Sequence, residues 1–260
     1  MHTLKQRANN IRKHILEAGN QSASAHYGGS LSCADILTYL FSIMKNNDNT
    51  NRDRFILSKG HCALALYATL FEYGFITKEE LLSFNANNSL FPSHCVKNIE
   101  KGIELSSGSL GMGLSFAIGQ AIALSKKCIK NKIYVMVGNG ETNEGSFWEA
   151  IMFAGAKKID NLILILDNNN MQLDGNSKDI LNITKWKEKF EAFNWNTVEI
   201  DGNNMEEIVN AFENNKKYPL VIISNTIKGK GISFMENVPK WHHNSLTEEE
   251  YNQAMKELEV

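Results

Sequence analysis

The chain has 260 residues, a net charge of -2 and an isoelectric point near 6.4, so it carries no basic excess to drive binding to nucleic acid or to an anionic membrane. Hydrophobic residues make up 43% and charged residues 22%, which argues against disorder, and a chain of this length buries roughly 70–75% of its unfolded surface, enough to fold without disulfide or metal. No apolar run reaches the ~18 residues of a membrane span, and the N-terminal MHTLKQRANNIRKH lacks the apolar core of a signal peptide, so a cytoplasmic location is expected.

In chain order, Thr3–Gly19 reads as a helix ended by Gly19. A small, polar loop follows from Ser22 to Ser30. Ser32 is the expected N-cap of a helix over Ala34–Lys45, with Leu37, Leu40, Phe41 and Met44 on one face. Arg52-Asp53-Arg54 precedes a short apolar strand, Phe55–Leu57, then a turn and a helix after His61. Thr77 is expected to cap the next helix, with Glu80 completing a capping box. Gly108, Gly111 and Gly113 lead into a helix of small residues, Leu114–Lys126. An apolar run, Ile133–Val137, ends in Gly138-Asn139-Gly140, and a helix follows over Gly145–Lys158. A second run, Leu162–Leu166, ends in Asp167-Asn168-Asn169-Asn170. Two further strands are expected at Asn196–Ile200 and Leu220–Ser224. The cysteines Cys33, Cys62, Cys95 and Cys128 form no C-x-x-C pair and read as reduced, apolar filler.

Continuous apolar strands separated by helices imply a parallel sheet covered on both faces. The expected fold is therefore α/β, a doubly wound, mostly parallel sheet, as a single domain over 1–260. In such folds ligands bind beyond the carboxyl ends of the strands, where the loops starting at Gly138 and Asp167 lie. The first offers two glycines at a helix N-terminus, an arrangement that favours an anion such as phosphate, together with Asn139, Glu141 and Glu144. The second offers amide oxygens, which suit Mg²⁺ or Ca²⁺. Phosphate plus a divalent cation is one reading; ordinary Gly-Asn and Asn-rich turns are the other. A dinucleotide fingerprint would need glycine at Asn143, and neither a P-loop nor a G-x-S-x-G elbow is present. Lys228-Gly229-Lys230-Gly231 is either an anion contact or a solvated turn. His26, His61, His94 and His242 each sit beside Gly, Ser or Pro, as surface residues or as members of a polar pocket that handles protons.

Several segments together resemble one family. Ala25–Ser32 is similar to a GHxGGxLS loop, Arg52–His61 to RDRFxLSxGH, Phe91–His94 to a PxH turn and Ser107–Gly113 to TGxLGxG. Gly138-Asn139-Gly140-Glu141 with Asn169 resembles the GDG…N thiamine-diphosphate motif, and Thr226–Gly231 with Trp241-His242 resembles TxKGxG…WHG. In this order, they resemble the N-terminal, diphosphate-binding half of transketolase. The resemblance implies that Gly138, Gly140 and Asn169 hold thiamine diphosphate. It also implies Mg²⁺ (or Ca²⁺ or Mn²⁺ in its place) on Asn139, Asn169 and the Met171 carbonyl. His61, Gly108, Leu110, Gly140, Glu141 and His242 would line the diphosphate and thiazolium, with Leu173 near the aminopyrimidine. His26, His61, His94 and His242 would face the sugar as catalytic residues, in a reaction that moves a two-carbon ketol unit from a ketose (phosphate) to an aldose.

Three positions depart from the family pattern: Asn139 stands for the metal-binding Asp, Ser109 for a frequent Pro, and His243 for the Gly of WHG. Asn139 removes one negative charge from the metal site. The chain stops at Val260, without the pyrimidine-binding domain or the Glu that activates the aminopyrimidine, and Glu144 resembles an interface residue instead. A split transketolase is implied, with this chain as one subunit and the pyrimidine-binding domain on a C-terminal subunit, in an α2β2 assembly meeting along Gly108–Lys126 and Gly145–Lys158. Alternatives are another thiamine-diphosphate enzyme, of deoxyxylulose-phosphate synthase or 2-oxoacid dehydrogenase type, and a non-catalytic scaffold subunit.

Overall fold

The computed structural model describes residues 1–45 and 51–259; Val260, the end of the expected domain, lies outside the described residues. The chain opens with helices α1 (His2–Asn20), α2 (Tyr27–Ser32) and α3 (Ala34–Ile43), strand β1 (Arg54–Leu57), and helices α4 (Ala63–Glu72), α5 (Lys78–Leu82) and α6 (Gly113–Lys126). Strand β2 (Ile133–Gly138), helix α7 (Gly145–Ala156) and strand β3 (Leu162–Asn168) form the centre. Helices α8 (Ser177–Ile180) and α9 (Trp186–Ala192), strand β4 (Asn196–Asp201), helix α10 (Met205–Asn214), strand β5 (Leu220–Asn225) and helix α11 (Glu248–Glu257) complete the chain.

Among the described residues the five strands all run parallel, in the order β1-β2-β3-β5-β4. Alternation along the strands explains why they read as unbroken apolar runs. Phe55, Leu57, Tyr134, Met136, Ile163, Ile165 and Ile222 pack on one face with α1, α3, α4 and α10. Ile56, Val135, Val137, Leu162, Leu164, Leu166 and Ile223 pack on the other with α6, α7 and α9. A sheet buried on both sides needs no polar alternation, and its parallel strands place all their carboxyl ends, those of β1, β2, β3 and β5 among them, on one rim.

The doubly wound fold matches the expectation, and the predicted capping box at Thr77 and Glu80 is formed in both directions. Four local expectations are corrected. Gly19 lies within α1, which runs on to Asn20 and is followed by a C-cap, Gln21, in an ordinary right-handed conformation; the glycine instead admits the ring of Tyr27, whose Cε1 would stand 2.5 Å from an added Cβ. The Ser22–Ser30 segment is not all loop, because α2 begins at Tyr27 and is buried throughout. Ser32 is the last residue of α2 and does not cap α3, which starts behind Cys33 without a side-chain cap. Cys128 is exposed, whereas Cys33, Cys62 and Cys95 are buried.

Candidate active site

The turn after β1 carries Ser58, Lys59 and His61; the end of β2 carries Gly138–Glu141; the end of β3 carries Asp167–Asn169; and the chain leaving β5 reaches Lys228. These converge on one cavity of about 300 Å³. His26, His61, His94 and His242 line it, as do Gly108, Leu110, Gly138, Asn139, Gly140 and Glu141. Asn169, Met171 and Leu173 complete it from the β3 side, so all thirteen residues singled out from the sequence face the same space.

Two buried carboxylates tie the rim together. Glu141 accepts from Ser58 Oγ, from the Gly111 N–H (2.9 Å) and from the Gly138 N–H (3.2 Å), while Ser58 Oγ also accepts from the Gly113 N–H (3.1 Å). The Gly108–Gly113 loop is thereby fastened to the Gly138–Gly140 loop. Burial raises the Glu141 carboxyl above its ordinary range, opposed by these donors. Asp167 receives Lys59 Nζ, Ser32 Oγ (2.8 Å), Asn169 Nδ2 (3.0 Å) and Thr226 Oγ1 (2.5 Å). Burial alone would discharge Lys59, but the Asp167 carboxylate overrides it and holds the ammonium well above its ordinary value.

Asp167 is turned away from the cavity and the oxygens of Glu141, which borders it, are engaged by the rim donors, so the other polar groups of the lining are cations, amides and imidazoles. Lys228 Nζ contacts the Gln172 carbonyl (2.9 Å) and His242 Nδ1 (3.0 Å), and burial brings it down to about 8. The glycines at 138 and 140 leave space that a side chain would take: a Cβ at Gly140 would stand 3.2 Å from Gln172 Cγ. Among the described residues no three His, Cys, Asp or Glu side chains are placed to hold a metal, so a cation here would rest on amide and carbonyl oxygens. The Asn169 amide is fixed by Asp167 at its nitrogen and by the Met171 N–H at its oxygen (3.1 Å). Asn139, 4% exposed, donates through Nδ2 to Ser177 Oγ (2.5 Å), which leaves its oxygen for another partner. Neutral oxygens beside a glycine cradle fit Mg²⁺ bound jointly with a phosphate.

The histidines form one cluster. The His26 ring centroid lies 5.5 Å from His61, 5.5 Å from His94 and 5.6 Å from His242, and His61 stacks on His242 at 5.2 Å. Paired backbone bonds between Ala25 and Asn244 bring the His26 and His242 segments together. Burial first, then the neighbouring imidazoles and Lys228, depresses His26 to about 3; burial, then Lys228 and Lys59, depresses His242 to about 4. His61 and His94 are also lowered, with burial the largest cause. All four are therefore neutral at neutral pH and able both to donate and to accept.

A histidine depressed in the folded state contributes stability that is full above its unfolded value, near 6.5, and is lost as pH falls towards the folded value. The melting temperature should accordingly drop as pH is lowered from 7 to 5, and His26→Asn should flatten that profile. Glu141 acts in the opposite sense, as one group against four. A melting temperature independent of pH over this range would contradict the neutral cluster.

Sequence reasoning missed Lys59, Gln172 and Gly29, which line the same cavity, and gave Asp167 no role. For the Lys228–Gly231 loop it left two readings open; Lys228 faces the cavity, whereas Lys230 pairs with Glu236 at 3.3 Å. His243 adopts extended backbone (φ -151°) that any residue accepts. Its ring lies 4.4 Å from that of His26, and its Nε2 is 3.1 Å from Ser24 Oγ. The adjacent histidine pair was the available signal for this fifth imidazole.

The profile of the family described as "Transketolase, thiamine diphosphate binding domain" matches residues 3–260. An apulose-4-phosphate transketolase subunit of Phocaeicola vulgatus is 39% identical over 98% of this chain and 94% of its own length. A 6-deoxy-6-sulfo-D-fructose transketolase subunit of a Clostridium species is 42% identical over 98% and 96%. Among solved structures, transketolase from Campylobacter jejuni superposes with a TM-score of 0.93 at 33% identity; it covers all of this chain, which spans 43% of that one.

Proposed function

The chain belongs to the transketolase family, through its thiamine-diphosphate-binding domain, and from this premise we propose that it is the diphosphate-binding subunit of a split transketolase that moves a two-carbon ketol unit from a ketose (phosphate) to an aldose. The observation that carries the proposal is the convergence of the Gly138–Glu141 loop, Asn169 and four neutral histidines on one cavity at the carboxyl rim of the sheet. When bound, thiamine diphosphate supplies a stabilised carbon nucleophile. The protein's part is to bind, orient and move protons.

Asn139, Asn169 and the Met171 carbonyl would hold Mg²⁺, or Ca²⁺ or Mn²⁺ in its place. Gly138 and Gly140 let the backbone close on the diphosphate, and Glu141 keeps their loop in register with Gly108 and Leu110. Lys228 offers the nearby positive charge. His61 and His242, with Gly108, Leu110, Gly140 and Glu141, would line the diphosphate and thiazolium, Leu173 would pack near the aminopyrimidine, and His26, His61, His94 and His242 would exchange hydrogen bonds and protons with the sugar's hydroxyls and carbonyl. Their neutrality suits groups that must both give and take a proton.

The second subunit carries the pyrimidine-binding domain, in an α2β2 arrangement. Relatives of nearly the same length are themselves named as subunits, and apolar side chains stand exposed: Leu173 at 60% on the cavity, and Met112 at 54%, Met152 at 54% and Phe153 at 44% elsewhere on the surface. Met112, Met152 and Phe153 belong to the α6 and α7 side, where the interface is expected. Ketol transfer from xylulose 5-phosphate to an aldose phosphate, measured with and without the second subunit, tests the proposal. Transfer only by the pair is expected. Full transfer by this chain alone overturns the split enzyme, and no transfer of any ketose by the pair favours a scaffold.

A further inference from the structure

We propose that Asn203 and Arg12 are positioning residues for Lys228: from outside the cavity they hold the backbone of the loop that carries its ammonium into it. The inference rests on the reading of Lys228 as the positive charge beside the diphosphate. Neither Asn203 nor Arg12 belongs to the cavity lining.

Lys228 leaves β5 on the segment Thr226–Gly231, which contains two glycines at positive φ, +83° at Gly229 and +98° at Gly231. Glycines leave the chain many paths, so this path has to be fixed by neighbours. Thr226 Oγ1 donates to Asp167 at the start of the segment, and the Gly229 N–H donates to the Gly28 carbonyl (2.9 Å). Two further anchors flank Lys228 itself. The Ile227 N–H donates to Asn203 Oδ1 (2.9 Å), and the Lys230 carbonyl accepts from Arg12 Nε (3.0 Å). A Cβ at Gly231 would stand 3.0 Å from Arg12 Cδ, so the arginine stem lies against the loop.

The chemistry of the partners fixes each role. A backbone N–H can only donate and a carboxylate can only accept. Asn203 therefore presents its oxygen to Ile227 and its nitrogen to Asp35 Oδ2 (2.9 Å). The guanidinium only donates: Nη1 and Nη2 reach Asp35 at 3.2 and 2.5 Å, which turns Nε to the loop. Asp35 is thus the common acceptor of both anchors. Arg12 comes from α1, Asp35 from α3 and Asn203 from the turn between β4 and α10. Arg12 and Asp35 are nearly buried, where such bonds are weakened little by water. The edge strand β4 adds no residue to the cavity lining, and through Asn203 its carboxyl end still bears on the site.

The test is a calorimetric titration of thiamine diphosphate, with Mg²⁺ present, into the assembled protein. Asn203→Ala leaves the Arg12–Asp35 pair intact and should weaken the cofactor by about fivefold, within the range for one lost hydrogen bond. Arg12→Lys keeps a cation for Asp35 but has no planar fork to reach Lys230 as well, and should weaken it similarly. In a Lys228→Ala background, itself weakened, N203A should change affinity by less than about twofold, because the group it places is gone. Equal losses in both backgrounds would make Asn203 a general support of the fold and overturn the inference. Wild-type affinity in N203A or in R12K, with K228A still weakened, would overturn the inference alone. A K228A protein that binds the cofactor as tightly as wild type would overturn the reading of Lys228 together with it.

Discussion

Lys59→Met should destabilise the protein by about 3–5 kcal/mol, the cost of removing one partner from a buried ion pair, read as a fall in the denaturant midpoint. Both side chains of the pair are 1% exposed. Methionine fills most of the lysine's volume but leaves Asp167 charged, buried and short of its strongest donor. Lys59 also donates to the Gly29 carbonyl (3.1 Å), so the change further frees an acceptor in α2. Asp167 collects donors from α2, the β1 turn, the β3 end and the β5 end, and losing Lys59 should loosen the whole rim. A double variant that also replaces Asp167 with an apolar residue should recover part of the loss, because the uncompensated charge is then gone. A K59M protein as stable as wild type would mean that the pair contributes nothing to the rim.

Glu141→Ala is expected to be nearly as severe. It strands the Ser58 hydroxyl and the Gly111 and Gly138 N–H groups, and each buried donor left unsatisfied costs about 1–3 kcal/mol. The three losses share one loop junction and will not simply add, so about 3 kcal/mol of stability is expected. The same bonds fix the distance between the two glycine loops proposed to hold the diphosphate. Cofactor affinity should therefore fall by tenfold or more, where a mutation in the core remote from the rim would lower stability alone. Glu141→Gln keeps one acceptor oxygen and should fall between. If Glu141→Ala lowers stability but leaves cofactor affinity at the wild-type value, the loops are not the cofactor's cradle.

The architecture is largely legible in the sequence because β2, β3 and β5 are short apolar runs ending in glycine or asparagine. Ile133–Val137 and Leu162–Leu166 point to a parallel sheet, and a parallel sheet points to its carboxyl rim. The two loops after them stand out on that ground, without any resemblance to a family. Helix α2 is not legible. Its six residues, YGGSLS, are all buried, so they show no amphipathic period, and two glycines argue against a helix; packing against α1, α4 and the Trp241 segment decides instead. The Lys59–Asp167 pair escapes for another reason. The partners are 108 residues apart, and a lone lysine after a strand ordinarily reads as solvated. Ser32 reads as a cap because its neighbours form a helix, yet its hydroxyl is directed to Asp167.

The most direct measurement is a calorimetric titration of thiamine diphosphate into the assembled protein, with and without Mg²⁺. Saturable binding that requires the metal, and that is lost in Asn169→Ala, is the predicted result. An absence of binding at millimolar cofactor with Mg²⁺ present would contradict the assignment of the cavity.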